Sequence, residues 1–274
     1  MGGEEYAENE LDKWLYLNYT VPYNIEVVYR WDAAQSYSSL SEVQLVPVEF
    51  DAVQPMMAAL RDVWFKPYIQ ATGNSLDFLK EVAPKKIVLV GSPEYQNGSF
   101  KLGQAEGGRK ILLLNVNNFD ASNENELKEA LHTIVHEFTH ILHQTKLFNQ
   151  EYQTISTGRY NSNWTLLNDS EARHQGFITN YAMLNKDEDF AEMVSGILVF
   201  GYEWFKDTVL AEAAKSTENP HAKADLEAKL AIVNSYFKET WNIEFFDNET
   251  SGEPGLESYF RMAIEEVVSN PPTK

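Results

Sequence analysis

Two histidines four residues apart, His136 and His140, bracket a carboxylate in the pentapeptide His136-Glu137-Phe138-Thr139-His140. On a helix, residues at that spacing lie one turn above one another, so both imidazoles can grip a single Zn²⁺ ion from the same side. The Glu137 carboxylate can then reach a water held at the ion. Metal to lower the pKa of water and carboxylate to take its proton are the two parts a zinc hydrolase needs near neutral pH.

Other histidines compete for these roles. His132 and His136 share the same spacing, yet the residue after His132 is Thr133, a poor general base. His132 and His143 fall on the same polar face and read as cleft-lining residues or partners of the ligands, either able to replace one. A zinc hydrolase also needs a third protein ligand and an open fourth position. The chain has no cysteine, and His174 and His221 lie outside any spaced motif, which leaves a carboxylate. The segment Asp187-Glu188-Asp189-Phe190-Ala191-Glu192 opens a helix-spaced run with Val194, Ile197, Leu198 and Gly201. Glu188 and Glu192 share a face, so one can bind the metal while the other hydrogen-bonds a ligand imidazole. A plainer reading stands beside it: Asn185 to Glu188 is capping-box spacing, and acidic residues in a first turn suit the helix dipole. Spacing alone leaves both open.

The elements that must position these groups are legible. Leu127, Leu131, Ile134, Val135, Phe138, Ile141 and Leu142 make one apolar helical stripe, with Asn123 as cap and Glu126 completing a capping box. At about 100° per residue, His136 and His140 lie nearly opposite that stripe, facing solvent or a cleft. Upstream, a short helix is expected at residues 8–16, a strand at 25–31 and a helix at 53–69 with Pro55 near its start. Strands follow at 86–90, 99–104 and 110–116. Downstream, helices are expected at about 169–184, 187–204, 205–216, 221–240 and 256–268, with residues 150–168 a polar loop at a cleft rim. This order predicts an α+β, zincin-like fold: an N-terminal mixed sheet packed on the HExxH helix, then a mainly helical part, with lobes at 1–145 and 146–274 forming one catalytic unit. The asparagine- and acid-rich stretch 115–126 lacks an EF-hand pattern and reads as helix capping rather than a Ca²⁺ site.

Glu188-Asp-Phe-Ala-Glu192, with Tyr181 seven residues before Glu188, resembles the segment that supplies the third zinc ligand in HExxH peptidases of the anthrax lethal factor type. That resemblance implies Glu188 as ligand, Glu192 as the carboxylate behind a ligand, and Tyr181 as hydrogen-bond donor to a developing oxyanion. A phenol suits that role because it donates without ionising near neutral pH. Over a longer stretch the chain resembles the zinc-binding metallopeptidases known as substrate import-associated zinc metallohydrolase lipoproteins of Bacteroides-type bacteria. The resembling features are Leu11-Asp-Lys-Trp14, Pro22-Tyr-Asn-Ile-Glu-Val-Val-Tyr-Arg-Trp31, the HExxH helix and the run from Tyr181 to Glu192. It implies a cell-envelope lipoprotein, probed by peptide or protein substrates and by partners in an outer-membrane uptake system, with any lipid anchor lying outside this sequence. The start Met1-Gly-Gly-Glu-Glu reads as a processed end, and the lipoprotein resemblance implies a signal peptide before it.

Composition narrows the partners. A formal net charge of −19, from 22 basic against 41 acidic residues, argues against nucleic acid and against electrostatic adhesion to anionic lipid. No run reaches the roughly 18 apolar residues of a membrane span, and the chain reads as soluble. Three functions remain: a gluzincin-like peptidase; a substrate-capture lipoprotein that keeps its zinc but only holds its ligand; and a structural zinc site closed by Glu192 or His143. Glu137 favours the first, because a pure binding site has no need of a base at that spacing.

Overall fold

The computed structural model describes residues 9–30, 45–96, 99–101, 103–106 and 110–272, with the stretch 94–106 as backbone alone. Trp31, the polar stretch 36–41, and the turn residues Asn97, Gly98, Gly107 and Gly108 lie outside the described set. The chain divides into two compact units, Met1–Ile141 with Ala263–Lys274, and Leu142–Met262.

The first unit opens with helix α1, residues 10–23, in which Glu10–Leu15 and Val21–Tyr23 flank a π turn at Tyr16–Thr20. Asn9 caps it, its side chain accepting from the backbone N–H of Asp12 at 2.9 Å. Strand β1 (Glu26–Val28) leads, beyond the undescribed stretch, to α2, residues 50–71, again with a π turn at Arg61–Phe65. Pro55 is accommodated in the second turn of α2, close to the helix start. Helix α3 (Asp77–Val82) precedes β2 (Lys86–Leu89), the small hairpin β3 (Glu94–Gln96) and β4 (Ser99–Lys101), then β5 (Gly103–Glu106) and β6 (Lys110–Leu113). The expected single strand at 99–104 is therefore two, one in each of two sheets.

The larger sheet has order β1-β2-β6-β5, with β1, β2 and β6 parallel and β5 antiparallel to β6. Val88 faces Leu112 across the β2–β6 pair, and with Val90 and Leu114 they form one apolar cluster. Ile87, Leu89, Ile111 and Leu113 alternate to the opposite face and are buried too. Burial on both faces is what parallel strands require, and it explains why they read as continuous apolar runs rather than as alternating ones.

Helix α4 (Glu124–Thr145) carries the HExxH motif. All seven residues of its expected apolar stripe are buried. Phe138 packs edge-on against Trp64, Tyr68 and Phe78, which pins the middle of the motif to α2 and α3. At its N-terminus, Asn123 Oδ1 accepts from Asn125 N at 3.2 Å, while the Glu126 carboxylate reaches back to Asp120 N at 3.1 Å. Asp120, Asn123 and Glu126 thus form the helix start, while Asn117 holds Glu49 N and Pro47 O instead.

The second unit is helical: α5 (Glu151–Ile155), α6 (Asp169–His174), α7 (Lys186–Phe200), α8 over residues 202–213, and α9 over residues 222–240, with α10 (Leu256–Ser269) beginning in it. Helix α7 is its axis, buried from Asp189 through Val199 and packed against α5, α8 and α9. Two elements differ from expectation. The 150–168 stretch holds α5 and a 3₁₀ turn at Trp164–Leu166 rather than an open loop. The helix expected at 169–184 ends at His174, because Gly176 turns the chain with φ of +84°, and Tyr181 sits on a separate 3₁₀ turn, Tyr181–Met183. Among the described residues no helix is long and apolar enough to cross a membrane.

The aromatic contact at the motif makes a prediction. Phe138→Ala removes a fully buried ring between three others, and should cost about 3–5 kcal/mol. Urea denaturation of the metal-free protein would show this as a lowered midpoint; a midpoint within error of the parent would contradict the packing described.

Candidate metal centre

His136 and His140 project from one face of α4, and their Nε2 atoms stand 3.1 Å apart, with the rings nearly perpendicular at 79°. His136 is 6% exposed and His140 half-buried, so the pair is withdrawn from bulk water rather than displayed on an open polar face. Nitrogens that each sit about 2.0–2.1 Å from one tetrahedral zinc ion are separated by roughly 3.3 Å, close to what is seen. Glu137, next to the first ligand, is partly exposed.

Glu188 lies in the first turn of α7. The cap there belongs to Asn185, whose Oδ1 accepts from Asp187 N at 2.8 Å and Glu188 N at 3.1 Å. This holds the Glu188 backbone. Its carboxylate is grouped with the histidines: one ligand atom from each of His136, His140 and Glu188 lies within 4.8 Å of the others. Two imidazoles and one carboxylate are the donor set of a catalytic-type zinc site, so the residues fit the ion that the motif implies. The Asn185 side chain caps the helix, and the Glu188 carboxylate lies in the cluster with the two histidines.

Glu192, one turn further along α7, is 4% exposed and accepts a hydrogen bond from the Thr179 hydroxyl at 2.7 Å. Thr179 Oγ1 also accepts from Ala182 N at 3.2 Å, so a single hydroxyl ties the buried carboxylate to the turn that carries Tyr181. Trp164 meets the Tyr181 ring edge-on at 4.9 Å. The stretch around Trp164 is clamped to the same turn on both sides, through Asn161 N to Met183 O at 2.7 Å and Asn180 Nδ2 to Leu167 O at 2.7 Å. His132 lies beside His136 with ring centroids 6.4 Å apart. His143 is 5% exposed and packs edge-on against Phe148 and Phe190, so it is an aromatic-core residue rather than a member of an open polar face.

Sequence reasoning missed a polar group in the interior of the second unit. Asp189 and Lys229 are both fully buried and paired at 2.7 Å. Tyr152 donates to the Asp189 backbone carbonyl at 3.0 Å, and Tyr160 to its carboxylate at 3.1 Å. Burial pushes the Asp189 carboxyl up against the pull of Lys229, and pushes the Lys229 ammonium down against the pull of Asp189. Burial also raises both phenols, so each is a protonated donor at neutral pH. A signal was present: Lys229 occupies a core position in the run Leu226, Leu230, Val233 on α9.

The comparisons with known proteins agree on one description. The sequence profile of a family described as "Putative zinc-binding metallo-peptidase" matches residues 4–246. Among solved structures, the crystal structure of a protein given the same description, from Bacteroides caccae ATCC 43185, is similar at 30% identity and a TM-score of 0.74, covering 97% of each chain. No curated protein matches the chain.

If these three side chains are the metal's ligands, His140→Ala and Glu188→Ala should each lose most of the zinc after dialysis against a weak chelator, measured by atomic emission. Asp187→Ala, which removes only a partly exposed carboxylate paired with Lys186, should keep it. Equal zinc in the Glu188 and Asp187 variants would return Glu188 to the cap.

Proposed function

Because the chain belongs to the zinc-binding metallo-peptidase family, we propose that it is a zinc-dependent hydrolase of the HExxH, gluzincin-like kind that cleaves peptide bonds with water. The observation that carries this reading is the grouping of His136, His140 and Glu188 with Glu137 beside the first ligand. Three protein ligands leave one position of a four-coordinate ion for water or substrate, whereas a structural site is closed by four. When bound, zinc supplies a Lewis acid that polarises a carbonyl and acidifies water.

The chain's own residues do the rest. Glu137 takes the proton from the attacking water and later delivers it to the leaving amine. Tyr181 donates its phenolic hydrogen to the oxyanion as the carbonyl carbon becomes tetrahedral. Trp164, edge-on to that ring, restricts the directions the phenol can take. Glu192 acts one step removed: buried and held by Thr179, it supplies a fixed carboxylate to orient a ligand imidazole.

Glu137→Gln should keep zinc and fold while any peptide hydrolysis by the parent falls by about 10²- to 10⁴-fold, the usual worth of a general base. Tyr181→Phe should fall less, since one donor is lost and the metal remains. A mixed-peptide library read by mass spectrometry would check both. Undiminished turnover by the Glu137→Gln variant would refute the mechanism, and zinc-dependent peptide binding without cleavage in the parent would make the chain a capture protein.

The proposal extends to place. We propose a cell-envelope lipoprotein, anchored by a lipid outside this sequence and working beside an outer-membrane uptake system on peptide or protein substrates. The support is the resemblance carried by Leu11-Asp-Lys-Trp14 and by residues 22–31. Metabolic labelling of the full-length product with an alkyne fatty acid should mark it and move it to the membrane fraction; an unlabelled protein in the soluble fraction would overturn this location.

A further inference from the structure

The Lys229 ammonium sits wholly out of water, and its two hydrogen-bond acceptors belong to segments that carry site groups. One hydrogen goes to the Asp189 carboxylate at 2.7 Å, the residue directly after Glu188. A second goes to the Gly176 carbonyl at 2.8 Å, at the turn from which the chain runs on to Thr179 and Tyr181. The Nζ atom also lies 4.1 Å from the centre of the Phe177 ring, within cation–π range. Gly176 turns the chain with a φ of +84° and packs close to Asp225, whose Cβ would stand 3.1 Å from an added Cβ and whose carboxylate is held by Arg159 at 2.7 Å. On the other side Asp189 is fixed by Tyr152 and Tyr160 as well as by the lysine.

Replacing a buried ion pair with apolar residues of similar size often leaves stability unchanged or raises it, so a pair like this is not explained by stability alone. What it does fix is position. We propose that Lys229 is a positioning residue for the metal site: through Asp189 it sets the first turn of α7, and so the Glu188 carboxylate, and through Gly176 it sets the stretch leading to Thr179 and Tyr181. The proposal rests on Glu188 being a zinc ligand. Groups that hydrogen-bond a ligand directly are worth about 10- to 100-fold in metal affinity, and Lys229, acting through Asp189, falls at the lower end of that range.

The test measures zinc affinity by competition with a chromophoric chelator, alongside the melting temperature of the metal-free protein. Lys229→Met should weaken zinc binding by about 10-fold, the lower end of what a direct partner of a ligand is worth. The neutral double variant Asp189→Asn with Lys229→Met removes the lone buried charge, and should regain thermal stability without regaining zinc affinity. Tyr160→Phe deletes a single hydrogen bond to Asp189 from a partly exposed ring and serves if the lysine variants do not fold; its affinity should also fall, by a smaller factor. Affinity that recovers together with stability in the double variant, or that stays within about twofold of the parent in every folded variant, overturns the proposal. Glu188→Ala, run in parallel, keeps the two ideas apart: if it binds zinc like the parent, the ligand assignment has failed; if it loses zinc while the others keep it, the positioning role has failed.

Discussion

Two imidazole nitrogens and a carboxylate oxygen aimed at one point present their lone pairs to each other, and without a cation or proton at the focus they repel. Such a convergence must be held by the scaffold, and most of what is particular about this chain serves that end. Helix α4 supplies the nitrogens at a spacing the helix itself fixes, so the demand on the rest of the first unit is only that α4 not roll or slide. The buried stripe and the Phe138 cluster with Trp64, Tyr68 and Phe78 meet it. The carboxylate makes the harder demand, because nothing local in Glu188 fixes where α7 begins. That is answered by the Asn185 cap on one side and the interior Asp189–Lys229 pair on the other.

This division of labour explains what could be read from the residues alone. The HExxH helix and its apolar stripe were legible, since every stripe residue is buried as the period requires. The α+β order of elements was legible too, because parallel strands buried on both faces announce themselves as short apolar runs. The 3₁₀ turn of Tyr181 was not. Phe177, Ile178, Tyr181 and Ala182 mimic helical spacing, and only the positive φ at Gly176, a property of backbone rather than of pattern, separates them from α6. The ends of α7 were read to within a residue at the start and four at the finish, where Gly201 with φ of +90° stops it.

The polar interior was the least legible part. Thr179 and Lys229 act over 13 and 40 residues of separation, and no spacing rule reaches that far. A lysine at a core position of α9 hints that something must neutralise it, yet the candidates are many in a chain with 41 acidic residues. His143, on the polar face of the same helix by its angle, is buried against Phe148 and Phe190, aromatic packing that helical phase alone does not announce.

The account stands on a single convergence, and one measurement reaches it directly. Crystals of the zinc-loaded protein, measured on both sides of the zinc absorption edge, should give one anomalous peak bonded to His136 Nε2, His140 Nε2 and a Glu188 oxygen, with the remaining position taken by solvent. A peak whose fourth position is filled by Glu192 or His143, or one that lies away from Glu188 altogether, would contradict it.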